Sequence, residues 1–305
     1  MLVNAQNLQN LTRSFRALAM TALFAAMPRW NQVAMLVPSS TASNDYGWLT
    51  EIPGAREWIG ERELKNLSNA TYNVVNQDFE LTVSVKRNNI EDDNIGIYSP
   101  MFSALGESFA YSPDEIVFRL LKNGFTEKCY DGKAFFASNH KVGSKQPAQS
   151  NLGDGKLTRD RFRAALTVMQ SQVRENGQPL RVFMGEGAQA PLLIVGPSNR
   201  ALALEIVGIQ TLAAGGDNPD YKTATILVLP ELTGAAADNW FLLDTSKAVK
   251  PMILQRRQEQ KFVAMDAETD ENVFMRKEFR YGFDDRKAAG FAFWQLAYGS
   301  TGAVV

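Results

Sequence analysis

Two stretches, Phe79-Glu80-Leu81-Thr82-Val83-Ser84-Val85-Lys86 and Ser112-Pro113-Asp114-Glu115-Ile116-Val117-Phe118-Arg119-Leu120-Leu121, decide the class of fold. In the first, apolar and polar residues alternate strictly, the period of a strand with one face in water. In the second, Ser112 is placed as an N-cap, Pro113 as the first helical residue and Glu115 as a capping acid; Ile116, Val117, Leu120 and Leu121 supply the buried face and Gly124 closes it. A half-buried strand leading into a long helix predicts an α+β chain. Just upstream, Glu91, Asp92 and Asp93 precede Ile95, Ile97, Tyr98, Met101, Phe102 and Leu105, which sets acids at the positive end of a helix interrupted near its start by Gly96 and Pro100. The two helical patterns join into one long, interrupted spine from about Asp93 to Asn123.

Further out, residues 37–67 are rich in Trp, Gly, Pro and both charge signs without a steady period, and read as an extended or hairpin segment. Phe15, Leu18, Ala19, Ala22, Leu23 and Ala26 recur at helical spacing after a long polar opening, which predicts a mobile amphipathic arm rather than a secretory leader. Residues 130–155 carry loop signals. Thr158 caps a predicted helix bearing Phe162, Leu166, Met169 and Val173, ended by Gly177. From Pro191 onward the texture is short apolar strands at 192–195, 225–229, 240–243 and 252–254, with a helix at 199–209, suggesting a second α+β module. A last strand is expected at 273–281, with Val273, Met275, Phe279 and Tyr281 on one face.

Composition bounds the function. The 305 residues are 45% hydrophobic and 21% charged, enough for one large or two medium cores. Thirty-two basic against 33 acidic residues leave a net charge of -1, which argues against specific recognition of nucleic acid. Cys129 is the sole cysteine, so neither an intrachain disulfide nor a multi-cysteine metal site can form. No run approaches the length of a membrane helix.

His140 is the sole histidine, so a nucleophilic enzyme would have to pair it with Cys129, and no nucleophile-elbow or protease signature surrounds either residue. The run Gly153-Asp154-Gly155-Lys156-Leu157-Thr158 fails as a phosphate loop, because Leu157 follows the lysine and Ser150 stands where the first glycine belongs. Glu91, Asp92 and Asp93 lack the spacing of a calcium loop. No catalytic, cofactor-binding or metal residue is therefore expected. Trp30, Trp48 and Trp58 sit in segments with little local core, and Arg56, Glu57, Glu61 and Arg62 flank them. Apolar anchors with charge-paired edges are the anatomy of a surface completed by another subunit, and these seven residues are the interface candidates.

A run of ordered motifs resembles a known family: Val37-Pro38-Ser39-Ser40, Tyr46-Gly47-Trp48-Leu49, Pro53-Gly54-Ala55-Arg56-Glu57-Trp58-Ile59-Gly60-Glu61-Arg62, Ile90-Glu91-Asp92-Asp93, and Tyr130-Asp131-Gly132-Lys133-Ala134-Phe135-Phe136 ending at His140. The chain resembles the Mu-like bacteriophage major head subunits, the gpT family, most specifically between about Trp30 and His140; Asn218-Pro219 and Phe279-Arg280-Tyr281-Gly282 agree in outline.

The resemblance implies a Hong Kong 97 type capsid fold: an N-terminal arm (1–44), an E-loop and return strand (45–88), a P-domain with a long spine helix (89–180 and 262–305) and an A-domain (181–261). It implies a structural protein without cofactor that self-assembles into the icosahedral head shell of a tailed phage, as hexamers and pentamers around double-stranded DNA contacted non-specifically. The implied partners are a scaffold, a head-maturation protease, a portal and a decoration protein, with assembly in the host cytoplasm and residence in the virion. Two alternatives stand beside it: an encapsulin-like nanocompartment shell, and a soluble hydrolase using Cys129 and His140.

Overall fold

The structure, a computed structural model, describes residues 5–47, 72–92, 96–143, 146–183, 191–212, 215–267 and 269–303. In chain order come helices α1 (Ala5–Ala25) and α2 (Trp30–Val33), strands β1 (Ala34–Pro38), β2 (Ser43–Asp45), β3 (Asn73–Val75) and β4 (Gln77–Lys86), and helices α3 (Arg87–Glu91) and α4 (Ser99–Lys122). Strand β5 (Leu152–Gly153), helix α5 (Arg159–Gln170), strand β6 (Leu192–Val195) and helix α6 (Arg200–Ala203) follow. Strands β7 (Thr225–Val228), β8 (Trp240–Leu243) and β9 (Met252–Met265), helix α7 (Glu271–Arg276), and strands β10 (Glu278–Phe291) and β11 (Ala297–Ser300) complete the chain.

The alternating run at 79–86 lies in β4, whose Val85 is buried while Glu80, Thr82, Ser84 and Lys86 are exposed. It forms one edge of a four-stranded sheet in the order β1-β9-β10-β4, parallel between β1 and β9 and antiparallel elsewhere. The apolar run at 252–254 is only the start of β9, which pairs with β10 as far as Met265. The other expected strands join a five-stranded sheet, β5-β11-β8-β6-β7. Its central strands, Leu192-Leu193-Ile194-Val195 and Trp240-Phe241-Leu242-Leu243, are buried throughout, and alternate residues serve opposite faces. Leu193, Val195, Trp240 and Leu242 pack with α5 and α6 on one side; Leu192, Ile194, Phe241 and Leu243 pack with the end of α4 on the other.

Helix α4 is the spine, and it is common to both sheets. Its first half turns Phe102, Leu105 and Phe109 toward the four-stranded sheet, where Phe109 stacks on Phe283 at 5.3 Å and Phe102 meets Tyr281 edge-on at 5.4 Å. Its second half turns Ile116, Val117, Phe118 and Leu121 toward the five-stranded sheet. Pro113 lies inside this helix, not at the start of a new one. Proline has no N–H to give the Phe109 carbonyl, which would cost the helix a bond. The Ser112 hydroxyl repairs it by donating to that carbonyl at 2.8 Å. So the residue expected to cap a second helix instead mends a continuous one.

The same seam holds a buried cation. Lys287 of β10 is 1% exposed; its Nζ donates to Ser112 Oγ at 2.6 Å and to Asp285 Oδ2 at 2.5 Å, and sits over the Phe79 and Phe109 rings at 4.8 and 5.0 Å. Burial pushes the Lys287 ammonium below its ordinary range and the Asp285 carboxyl above its own, each opposed by the partner's charge.

The N-terminal segment is helical as its spacing predicts, but it is docked, not a loose arm. Leu8, Leu11, Phe15, Ala19 and Leu23 are buried against α4 and the four-stranded sheet, with Phe15 stacked on Phe102 at 3.9 Å. Phe15 meets Phe102 and Ala19 meets Gly106, so the two helices run the same way. A Cβ at residue 106 would overlap the Ala19 carbonyl oxygen, which is why glycine stands there.

Two further expectations need adjustment. The expected strand at 273–281 is two elements: α7 covers Glu271–Arg276, Lys277 turns in the left-handed region at φ 52°, and only then does β10 begin. Val273 is buried, whereas Met275, assigned to the same face, is 68% exposed. Helix α5 starts where expected, with Thr158 accepting the Arg161 N–H at 3.2 Å, yet ends at Gln170, and Gly177 forms a separate turn at φ 78°. Of the segment 37–67, residues 43–45 pair antiparallel with 73–75, and 48–71 lie outside the described residues.

Candidate functional site

The Cys129 and His140 pair is the sharpest test of enzymatic chemistry, and the fold does bring the two together, but through a third residue. Cys129 and Asp131 flank a tight turn closed by the Gly132 N–H donating to the Cys129 carbonyl (2.9 Å), with Gly132 at φ 76°. His140 is held by reciprocal backbone bonds with Gln149 (3.0 and 2.8 Å) and by its ring stacking on Trp294 at 4.1 Å. The thiol donates to Asp131 Oδ1 at 3.2 Å, and His140 Nδ1 meets Asp131 Oδ2 at 2.6 Å.

A cysteine nucleophile needs the imidazole itself as its base. Here a carboxylate stands between them, and the other ring nitrogen, His140 Nε2, is buried with no partner among the described residues. Burial and the neighbouring Asp131 push the Cys129 thiol far above its ordinary range, so it stays protonated. Burial pushes the Asp131 carboxyl up, but bonds from His140, the Lys133 backbone and Cys129 outweigh it and hold the group below its ordinary value. The arrangement ties a loop; it does not generate a nucleophile.

That loop presents one of the motifs on which the family resemblance rests. Phe135 and Phe136 point inward, stacking on Phe291 at 4.2 Å and meeting Phe241 at 5.3 Å. They plug the core shared by α4 and the five-stranded sheet.

Of the seven interface candidates, Trp30 is described. Its backbone N–H donates to Asp114 Oδ1 at 2.7 Å beside that of Arg29, and its ring is half-buried against the core of its own chain. Burial pushes the Asp114 carboxyl upward against those two backbone bonds. Trp48, Arg56, Glu57, Trp58, Glu61 and Arg62 lie outside the described residues. The structure adds apolar groups that the sequence reading missed: Phe24 (75% exposed) and Met27 (82%) where α1 ends, and Phe274 (83%) with Met275 in α7. Phe24 falls off the buried stripe of α1, a signal available in the sequence; Phe274 was hidden by the expectation of a strand.

The family profile described as "Mu-like prophage major head subunit gpT" matches residues 8–156, 152–232 and 231–304. The chain belongs to the Mu-like prophage major head subunit gpT family. It is 32% identical over 297 residues to the major capsid protein of Escherichia phage Mu, spanning 97% of this chain and 74% of that one. Over 280 residues it is 30% identical to the Mu-like prophage FluMu major head subunit of Haemophilus influenzae, spanning 92% of this chain and 68% of the relative. Among solved structures it resembles a chain of the procapsid of bacteriophage JBD30, with TM-score 0.62 and 33% identity over 98% of this chain and 76% of that one. This gpT-family chain is a major capsid protein of a Mu-like phage head, with the Hong Kong 97 type α+β fold, and its place is the virion. The match favours the phage head over the nanocompartment shell. The comparisons point to a structural capsid protein.

Proposed function

We propose that this subunit assembles with copies of itself, as hexamers and pentamers, into a closed icosahedral head that encloses packaged double-stranded DNA. One observation carries the reading: large apolar side chains at Phe24, Met27, Phe274 and Met275 stand in solvent. Scattered exposed apolar residues are ordinary, but pairs of them at element ends on a head-subunit fold are surfaces awaiting a neighbour. Weak contacts repeated under closed symmetry then hold a shell that no single interface could. The near-neutral net charge of -1 suits non-specific contact with DNA that must later leave.

The division of labour follows the family layout. Residues 1–44 serve as the arm, 45–88 as the loop and return strand, 89–180 with 262–305 as the peripheral domain and 181–261 as the axial domain; β9, beginning at Met252, carries the chain from one to the other. Trp48, Arg56, Glu57, Trp58, Glu61 and Arg62 are assigned to contacts between neighbouring subunits, and Trp30 contributes the uncovered part of its ring. A scaffold, a head-maturation protease, a portal and a decoration protein complete the assembly.

Electron microscopy of the purified chain, alone and co-expressed with its scaffold, tests this: closed shells hundreds of ångströms across are expected, and a discrete small species under every assembly condition would refute it. Changing Trp58 to Ala is expected to lower shell yield while leaving the melting temperature of the unassembled chain unchanged, measured by sedimentation and differential scanning fluorimetry.

A further inference from the structure

We propose that Cys129, Asp131 and His140 form a capture site for one thiophilic divalent cation, with Zn²⁺ the best match to the donor set. Their ligand atoms all lie within 4.8 Å of one another. A thiol sulfur, a carboxylate oxygen and an imidazole nitrogen are the donors that Zn²⁺ takes in proteins, whereas Mg²⁺ and Ca²⁺ prefer oxygen alone.

Two features distinguish this group from a chance cluster. First, the frame that holds the donors does not depend on the bonds between them. The Cys129 N–H donates to the Lys133 carbonyl at 2.8 Å, the Gly132 N–H closes the turn, and His140 is fixed by Gln149 and Trp294. Ligands held in advance lose little freedom on binding. Secondly, the carboxylate already lies close to both of the other donors. Bonds of about 2.0–2.3 Å to a tetrahedral Zn²⁺ separate its ligands by roughly 3.3–3.5 Å. Here sulfur and Oδ1 are 3.2 Å apart and Nδ1 and Oδ2 are 2.6 Å apart. The Asp131 side chain is the part that can open the gap, being 15% exposed where the His140 side chain is fully buried.

Charge and protons balance. In the metal-free state the thiol and Nδ1–H both donate to an ionised Asp131. On binding, the thiol proton leaves to solvent, the imidazole proton moves from Nδ1 to Nε2, and sulfur, Nδ1 and a carboxylate oxygen bond the cation, with water in the fourth position. A dication facing one thiolate and one carboxylate leaves a neutral site, which suits its burial. This inference is independent of shell assembly.

Cys129 is the only cysteine in the chain, so any thiolate signal reports on this site alone. The probe is Co²⁺ titrated into the full-length protein after chelator treatment, followed by absorption spectroscopy. Expected are one equivalent bound, a near-ultraviolet thiolate-to-Co²⁺ charge-transfer band with visible bands of tetrahedral Co²⁺, and loss of both when Zn²⁺ is added. Cys129→Ser should remove the charge-transfer band, and His140→Gln should weaken Co²⁺ binding by more than about tenfold, with far-UV circular dichroism reporting whether each variant is folded. Should a variant not fold, Zn²⁺ protection of the wild-type thiol against alkylation in mild denaturant gives the same answer. No charge-transfer band at a hundredfold excess of Co²⁺, an unchanged band in Cys129→Ser, or an alkylation rate indifferent to Zn²⁺ would each overturn the proposal.

Discussion

The two halves of α4 are buried by different means. Up to Phe109 the helix lies among rings, with Phe102 between Phe15 of α1 and Tyr281 of β10, and Phe109 against Phe283. Beyond Pro113 it lies in a mixed core, where Leu192, Ile194 and Leu243 of the sheet stand beside Phe135, Phe136 and Phe241. The first half is covered on its other side by α1, more than 80 residues upstream; the second is covered by the five-stranded sheet and tied to the start of α2 through Asp114, which accepts the Arg29 and Trp30 N–H groups. At the junction sits a polar clamp, Ser112, Lys287 and Asp285, where either neighbouring environment would have favoured an apolar residue. The difference teaches that a helix can keep its axis while changing its packing partners, provided the joint between them is held by directional bonds.

The most damaging way to break this comparison is at the joint. Lys287→Ala leaves Asp285, 4% exposed, buried without its cation, and is expected to cost about 3–5 kcal/mol in chemical denaturation. The double change Lys287→Met with Asp285→Leu should recover most of that loss, since an apolar pair removes both charges. Next is the contact particular to the first half. Gly106→Ala forces α1 off the Ala19 carbonyl and should cost about 1–3 kcal/mol, with faster proteolysis within residues 5–25. Ser112→Ala re-exposes the unpaired Phe109 carbonyl and should cost about 1 kcal/mol, reported by a lower denaturation midpoint. The smallest effect lies outside the helix. Asp131 is held below its ordinary value of 3.8, so the stability it contributes is present above that pH and is lost as pH falls through the lower, folded-state value. Asp131→Asn should flatten that part of the acid limb and leave the profile near pH 7 parallel to that of the wild type.

Much of this fold can be read from local pattern because its strands follow their period. The alternation at 79–86 and the doubly buried runs at 192–195 and 240–243 each carry their assignment in the side chains. The Thr158 cap is equally local. Pro113 is not: Ser-Pro-Asp-Glu is identical whether a helix begins there or passes through, and the residue that helps decide between them, Lys287, is 175 positions from Ser112. The 273–281 run failed for a related reason, since a single turn of helix and a short strand can expose the same apolar spacing over four residues. Asp131 belongs to a family motif in a segment with loop signals, and nothing in a loop without a period announces that it stands between Cys129 and His140. The family motifs were legible as a set, and Phe135 and Phe136 explain one of them: they fill a core, so their place in the pattern reflects packing rather than chemistry.

A chain with separate hydrophobic cores would ordinarily melt in separate steps. Because one unbroken helix lends residues to two of them, losing either of these exposes half of that helix and undermines the other. A single calorimetric transition, with matching calorimetric and van't Hoff enthalpies, is the thermodynamic signature that this shared element writes into the subunit.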